Sequence, residues 1–443
     1  MQFSGEVVVT TLRELNPCVF LRPALPRPRP RAYIVTGAAS CPCHTVSQSH
    51  PSEYSPTQQR QHPARDHATP RVVSMSDSGK KRPASANGTE KKAQPTTKPT
   101  SSGTSGIFPR IALVVLVALL YRQLQPPAPK ICGTPGGPPV TGPRVQLKDG
   151  RHLAYHEFGV PKDQAKHKII FVHGFDSCRY DAVQVSPELA KELGIYLLSF
   201  DRPGYGESDP HPGRTEDSIA FDIEQLADIM QLGPKFYLIG FSMGGEIMWS
   251  CLKNIPHRLA GVSILGPVGN FWWSGYPANV STAAWYVQLP QDQWAVRVAH
   301  HAPWLAYWWN TQKFFPASSV ISFNPAILSP EDMAIIPKFA FRTYAAQVRQ
   351  QGKHESLHRD MIVGFGKWKW SPLEMENPFP AGEAAVHLWH GAEDLIVPVE
   401  LSRYIAQKLP WVRYHELPTA GHLFPIADGM ADRIVTSMLL GDQ

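Results

Sequence analysis

Residues 236–245 read Phe-Tyr-Leu-Ile-Gly-Phe-Ser-Met-Gly-Gly. An apolar run stops at Gly240, a serine follows at 242, and glycines return at 244 and 245. The pattern is G-x-S-x-G, a strand that turns sharply into a helix with the serine at the apex. Such a turn strains the serine backbone and draws the helix start against the strand end. A side chain at Gly240 or Gly244 would stand in that contact, so both positions are glycine. The Ser242 hydroxyl then projects above the sheet edge, within reach of a base.

Three further stretches extend this reading. Residues 167–175, His-Lys-Ile-Ile-Phe-Val-His-Gly-Phe, form an apolar strand that ends in a glycine-containing loop. Acyl transfer needs two preorganised N–H donors for the developing oxyanion. Met243, after the nucleophile, supplies one of them, and Phe175, which Gly174 lets approach closely, supplies the other. Residues 388–398, Leu-Trp-His-Gly-Ala-Glu-Asp-Leu-Ile-Val-Pro, run from a strand into a loop with two adjacent acids, Glu393 and Asp394. A carboxylate at a strand end can orient a histidine and stabilise its cation, and either acid is suitable. Residues 417–422, Leu-Pro-Thr-Ala-Gly-His, bring His422 onto a loop after a last strand. One histidine among 18 means little alone; its place after the serine and the acid in chain order singles it out.

Residues 201–208, Asp-Arg-Pro-Gly-Tyr-Gly-Glu-Ser, supply a fourth motif. They look like the D-R-x-G-x-G-x-S turn that follows an early strand in the α/β-hydrolase superfamily. From about Arg144 to the C-terminus the chain resembles that superfamily, whose triad appears in the order Ser, acid, His. The resemblance is nearest to a plant group of membrane-anchored, largely uncharacterised α/β-hydrolase-fold proteins. They share the Gln-Pro-Pro, Ile-Cys-Gly and Pro-Gly-Gly-Pro-Pro-Val stretch found here between Gln125 and Val140. The resemblance implies the fold and a catalytic triad of Ser242, Asp394 and His422, with Asp394 preferred to Glu393 for its place before Leu-Ile-Val-Pro. It implies no substrate.

The coarse pattern agrees. Asp149-Gly150 joins two short strands as a hairpin. Strands are expected at 195–200, 235–239, 259–265, 386–389 and 412–417, alternating with helices at 186–193 and 215–232. Such alternation implies an α/β fold, a mostly parallel sheet with helices on both faces. It lapses between about 267 and 380, before the acid-bearing strand, where family members carry a helical lid. This segment holds nine of the twelve tryptophans. They suit an aromatic pocket for an apolar acyl or alcohol group, or the lid's own small core or a membrane-facing surface.

Outside the domain, residues 1–106 are rich in Pro, Ser, Thr, Arg and Gln and read as a disordered tail. Met75 followed by Ser-Asp-Ser-Gly looks like a start, with residues 1–74 an alternative or mispredicted N-terminus; if translated, their arginine-rich, acid-poor character fits a transit peptide. The first hundred residues carry a net charge of +8 out of +6 for the whole chain, which leaves the remainder near neutral. That gives no reason to expect nucleic-acid binding. Residues 107–124 contain a short apolar run interrupted by Pro109 and Arg110. The run reads as a single-pass N-terminal membrane anchor, endomembrane rather than plastid, with the catalytic domain on the far side. Residues 125–143 read as a Pro/Gly-rich stalk, and 144–443 as the hydrolase domain. The six cysteines show no framework spacing, and Cys178 and Cys251 read as buried thiols. No metal or organic cofactor is indicated, and no protein partner can be inferred.

Together these features suggest a serine hydrolase of carboxylesterase or lipase type. It would act on a small, ester-like, lipophilic substrate through an acyl-enzyme. A ligand receptor with little turnover and an acyltransferase carry the same residues and are the alternatives.

Overall fold

The computed structural model describes residues 107–441, and the expectations for 1–106 lie outside them. Eight strands form one sheet: β1 (Arg144–Gln146), β2 (His152–Gly159), β3 (His167–Val172), β4 (Ile195–Phe200), β5 (Phe236–Phe241), β6 (Leu259–Leu265), β7 (Val386–Gly391) and β8 (Val412–Leu417). Their spatial order is β1-β2-β4-β3-β5-β6-β7-β8. β2 runs antiparallel to both neighbours, and β4 through β8 are parallel throughout. The order reverses around β3, so the chain leaves its two sides in opposite directions and opens a crevice at the strand C-termini.

Both faces of the sheet are covered, which is why its central strands read as unbroken apolar runs. The helices are α1 (Ile107–Leu124), α2 (Pro187–Leu193), α3 (Ser218–Ile229) and α4 (Met243–Asn254), then α5 (Ala278–Val287), α6 (Pro290–His301), α7 (Ala306–Thr311), α8 (Ser319–Ser322), α9 (Pro330–Ile335), α10 (Ala345–Val348) and α11 (Arg359–Gly364) between β6 and β7, and finally α12 (Val399–Lys408) and α13 (Met430–Leu440). Ile170, Val172 and Leu238 point to one face and pack with Ile223 of α3, Trp249 of α4 and Ile405 of α12. Ile169, Phe171 and Ile239 alternate to the other face and meet Ala190 of α2 and Val435 of α13. α2 is short because its ends are fixed: the Ser186 hydroxyl accepts from Leu189 N–H, and Gly194 closes it with φ 66°. α3 is shorter than the periodicity suggests. Ser218 and Thr215 bond each other at its start, and Gln231, with φ 55°, lies just beyond its end.

The lid is built of short helices rather than long amphipathic ones. Its tryptophans do not converge on one pocket. Trp273, Trp368 and Trp370 join the core beside α4, Trp294 and Trp304 face outward, and Trp272 and Trp285 line an outer groove.

Two further segments differ from expectation. α1 is a continuous 18-residue helix that includes Pro109 and Arg110. Proline in the first turn lacks only an N–H that would be unpaired there anyway, so it does not interrupt the helix. All of α1 is exposed apart from its C-terminal leucine. The stretch expected to stand off as a stalk is instead held against the domain from Lys130 onward. Lys130 N–H donates to the Gln351 carbonyl (2.9 Å) and Cys132 N–H to the Gln351 side chain (3.0 Å). The N–H groups of Thr141 and Gly142 donate to the Glu207 carboxylate at 3.0 and 3.1 Å. Cys132, Cys178 and Cys251 are buried free thiols.

Candidate active site

Ser242 stands between β5 and α4 with φ 56° and ψ −117°. For a non-glycine residue this is strained backbone, on the order of 1–3 kcal/mol. The surroundings hold it in place. Ser242 N–H donates to the Leu265 carbonyl at 2.8 Å, continuing the β5–β6 pairing, and the Ser242 carbonyl accepts from Glu246 and Val268. A Cβ at Gly240 would come within 2.4 Å of the Gly244 carbonyl, and one at Gly244 within 2.0 Å of the Val172 carbonyl. Both glycines are required by this close approach of helix to sheet.

His422 follows β8, and its ring packs on Phe241, the residue before Ser242, with ring centres 4.9 Å apart. Its Nδ1 lies 2.7 Å from Asp394 Oδ2. Nδ1 therefore carries the proton, which leaves Nε2 free to accept one. Of the two adjacent acids, Asp394 is buried and Glu393 is exposed. Asp394 Oδ1 accepts the N–H groups of Ile396 (2.9 Å) and Val397 (2.8 Å), while Oδ2 also lies 3.2 Å from His390 Nε2. His390 Nε2 faces two acceptors, Asp394 and the Val397 carbonyl, and so carries that ring's proton, while Nδ1 meets the Ser402 hydroxyl at 2.8 Å. Burial would raise the Asp394 carboxyl. The neighbouring His422 charge and the bonds from His390 and His422 outweigh it and hold the group well below the usual carboxylate range. Burial would likewise lower His422, but the Asp394 and Asp332 charges reverse the sign and raise it.

Asp332, on α9 of the lid, is fully buried and was not visible as a site residue in the sequence. Its carboxylate accepts the backbone N–H groups of His422 (3.1 Å) and Leu423 (2.7 Å), 90 residues away. The sequence does carry the start of its helix, because Ser329 and Asp332 form a capping box.

Phe175 and Met243 lie in one cluster with Val268, Val397 and Phe365. Gly174 lies against the serine, where an added Cβ would sit 3.0 Å from Ser242 Cβ. The loop is held from below. Arg202, from the Asp-Arg-Pro-Gly turn, donates to the carbonyls of His173 and Gly174, both at 2.9 Å. Its backbone N–H donates to His173 Nε2 at 3.0 Å, so His173 is neutral with its proton on Nδ1, bonded to the Gly174 carbonyl. Burial, then the Arg202 charge, pushes His173 well below its ordinary value. Arg202 is in turn clamped by Asp360 of α11 at 2.7 and 2.6 Å, and that carboxylate also bonds Arg214 and Tyr205. The sequence placed the turn but gave no sign of its distant partner. Beside it, a small cavity of about 30 Å³ is lined by Met243, Glu246, Arg202 and Asp360. Burial, reinforced by the Asp360 charge, raises the Glu246 carboxyl well above the usual range. Among the described residues no cluster of His, Cys, Asp and Glu is arranged to hold a metal ion.

The candidate residues thus gather from the C-terminal ends of β3, β5, β7 and β8. A solved esterase from Exiguobacterium antarcticum is similar at 18% identity, covering 67% of this chain and 97% of that one, with a TM-score of 0.46. The probable lysophospholipase BODYGUARD 1 of Arabidopsis thaliana is 23% identical over 275 residues, 59% of this chain and 56% of that protein, so the chain matches only about half of that relative. The uncharacterized hydrolase YugF of Bacillus subtilis is 23% identical over 279 residues, 62% of this chain and 90% of that protein. The sequence model of the alpha/beta hydrolase fold matches residues 168–428, well over half of the chain. The chain belongs to the α/β-hydrolase superfamily.

Proposed function

We propose that the protein is a serine hydrolase that cleaves a lipophilic ester. The observation that carries this is the 2.7 Å contact between His422 Nδ1 and Asp394, on a ring packed against the residue before the strained Ser242. In the reaction, Ser242 Oγ attacks the ester carbonyl while His422 Nε2 takes its proton. The Met243 and Phe175 N–H groups hold the oxyanion. As the tetrahedral adduct collapses, His422 gives the proton to the leaving alkoxide, and the alcohol departs. Water, deprotonated by His422, then attacks the acyl-enzyme, releasing the acid and restoring the Ser242 hydroxyl. Asp394 stays ionised and stabilises the His422 cation at both steps.

The likeness to a probable lysophospholipase supports a lipophilic ester as substrate class. We place α1 in a membrane as the anchor of the domain. Its 18 residues give a length of ~27 Å, against a hydrocarbon core of about 30 Å. Arg110 and Arg122 near its ends can reach the interfaces.

The test is labelling and turnover. A fluorophosphonate probe is expected to label the wild type and not Ser242→Ala. His422→Ala and Asp394→Asn are each expected to lose on the order of 10³-fold or more in turnover of p-nitrophenyl esters. Equal labelling of wild type and Ser242→Ala would remove the assignment.

A further inference from the structure

The outer groove of the lid has a chemistry that the triad does not explain. It is a hollow of about 340 Å³ whose walls include Phe271, Trp272, Trp285, Tyr286, Arg297 and His301. The rings brace one another: Trp285 meets Phe271 edge-on at 5.1 Å and Trp272 at 5.9 Å, and Trp272 stacks on His300 at 3.9 Å. The Arg297 guanidinium lies 4.4 Å from the Trp285 ring centre and 5.3 Å from that of Trp294. Among the described residues no carboxylate pairs with it. A guanidinium on aromatic faces keeps its in-plane N–H donors free, and these match a phosphate or carboxylate in fork geometry. Basic residues adjoin it. His301 touches Trp272 and the ring of His300, and the Lys367 charge reaches His300.

The groove also backs onto the candidate site. Phe271 stacks on Phe365 at 6.5 Å, and Phe365 packs, as Phe175 does, against the cluster that contains Met243.

We propose that this groove binds the anionic end of an amphiphilic ester substrate, with a phosphate or carboxylate seated on Arg297 and His301 and hydrocarbon on Phe271, Trp272 and Trp285. The proposal rests on the serine-hydrolase reading for its word "substrate", but the binding step does not need turnover. It assigns the chain a preference among esters: one with a negative charge remote from the scissile bond over a neutral one of equal length. Charge-assisted bonds to a planar fork depend on geometry, so lysine is a poor replacement for Arg297.

Two measurements on the full-length protein test this. In the first, kcat/KM is compared for mono-p-nitrophenyl suberate, which ends in a carboxylate, and p-nitrophenyl octanoate, which is neutral. The wild type is expected to favour the suberate, and Arg297→Gln to lower the suberate-to-octanoate ratio at least tenfold. A ratio unchanged by Arg297→Gln would overturn the proposal. In the second, Ser242→Ala is titrated with hexyl phosphate, hexanoate and hexanol while tryptophan fluorescence is followed. Saturable change with an anionic ligand, absent with hexanol and lost in Ser242→Ala/Arg297→Gln, is expected, and the stronger of hexyl phosphate and hexanoate identifies the anion. An equal response to all three, or one indifferent to Arg297, would overturn it. Absence of ester turnover with anion binding retained would count against the hydrolase reading alone.

Discussion

Asp332 puts a second negative charge behind His422 without touching its ring. It bonds the histidine's own N–H and the next one, and its field adds to that of Asp394 in raising the imidazole. A base must be neutral to take a proton, so kcat/KM is expected to rise with pH through a limb lying above the ordinary histidine value of about 6.5. Asp332→Asn removes the charge and keeps one acceptor, so the limb is expected to move to lower pH. A pH profile with a soluble p-nitrophenyl ester checks this, and a limb that does not move would show that the charge is not felt at His422. Ser242 and His422 could be picked out of the sequence because their glycine neighbours and their order in the chain are local facts. Asp332 could not, because its role exists only across 90 residues of chain.

At the scale of elements, a carboxylate on α11 is one of the ties that fix the lid to the domain, beside Asp332 of α9. Asp360 is buried among Arg202, Arg214 and Tyr205, and Arg202 carries the loop of Gly174 and Phe175. Removing one member of a buried ionic cluster leaves the others uncompensated. Asp360→Ala strands two guanidinium groups and is expected to cost about 3–5 kcal/mol, read as a fall in the urea midpoint. A variant as stable as the wild type would mean that water reaches Arg202 and Arg214. The central strands β4 to β7 were legible to within about two residues because they are buried on both faces and bounded by turn residues, whereas the half-buried β2 runs on to Gly159. The lid was legible only as a break in the pattern. Its helices of four to six residues, such as α7 to α10, are too short to express a helical period, and their aromatic residues serve core, surface and groove alike.

On the scale of the whole molecule, no apolar residue of α1 is buried among the described residues. Its leucines and valines are all more than half exposed, apart from those in its last turn. In a water-soluble chain such a helix is an aggregation liability, and in a bilayer the same surface is satisfied. Extraction with alkaline carbonate is expected to leave the full-length protein in the membrane pellet. A chain starting at Lys130, which retains the bonds to Gln351 and Glu207, is expected in the supernatant. Full-length protein in the supernatant would exclude an integral anchor. The apolar helix was readable from composition, whereas the docking of residues 130–143 was not, because a run of proline and glycine looks the same whether it hangs free or lies in a groove.

That docking sets the length of a leash. With residues from Lys130 onward bound to the domain, only Gln125–Pro129 separate it from the last residue of α1. Five residues rich in proline extend to about 16 Å at the polyproline rise, less than the width of the domain they hold. With α1 seated in a bilayer, the domain can swivel but cannot drift away, and it works at nearly fixed altitude. It would meet what lies in or beside that membrane at high local concentration and would patrol little of the surrounding solution.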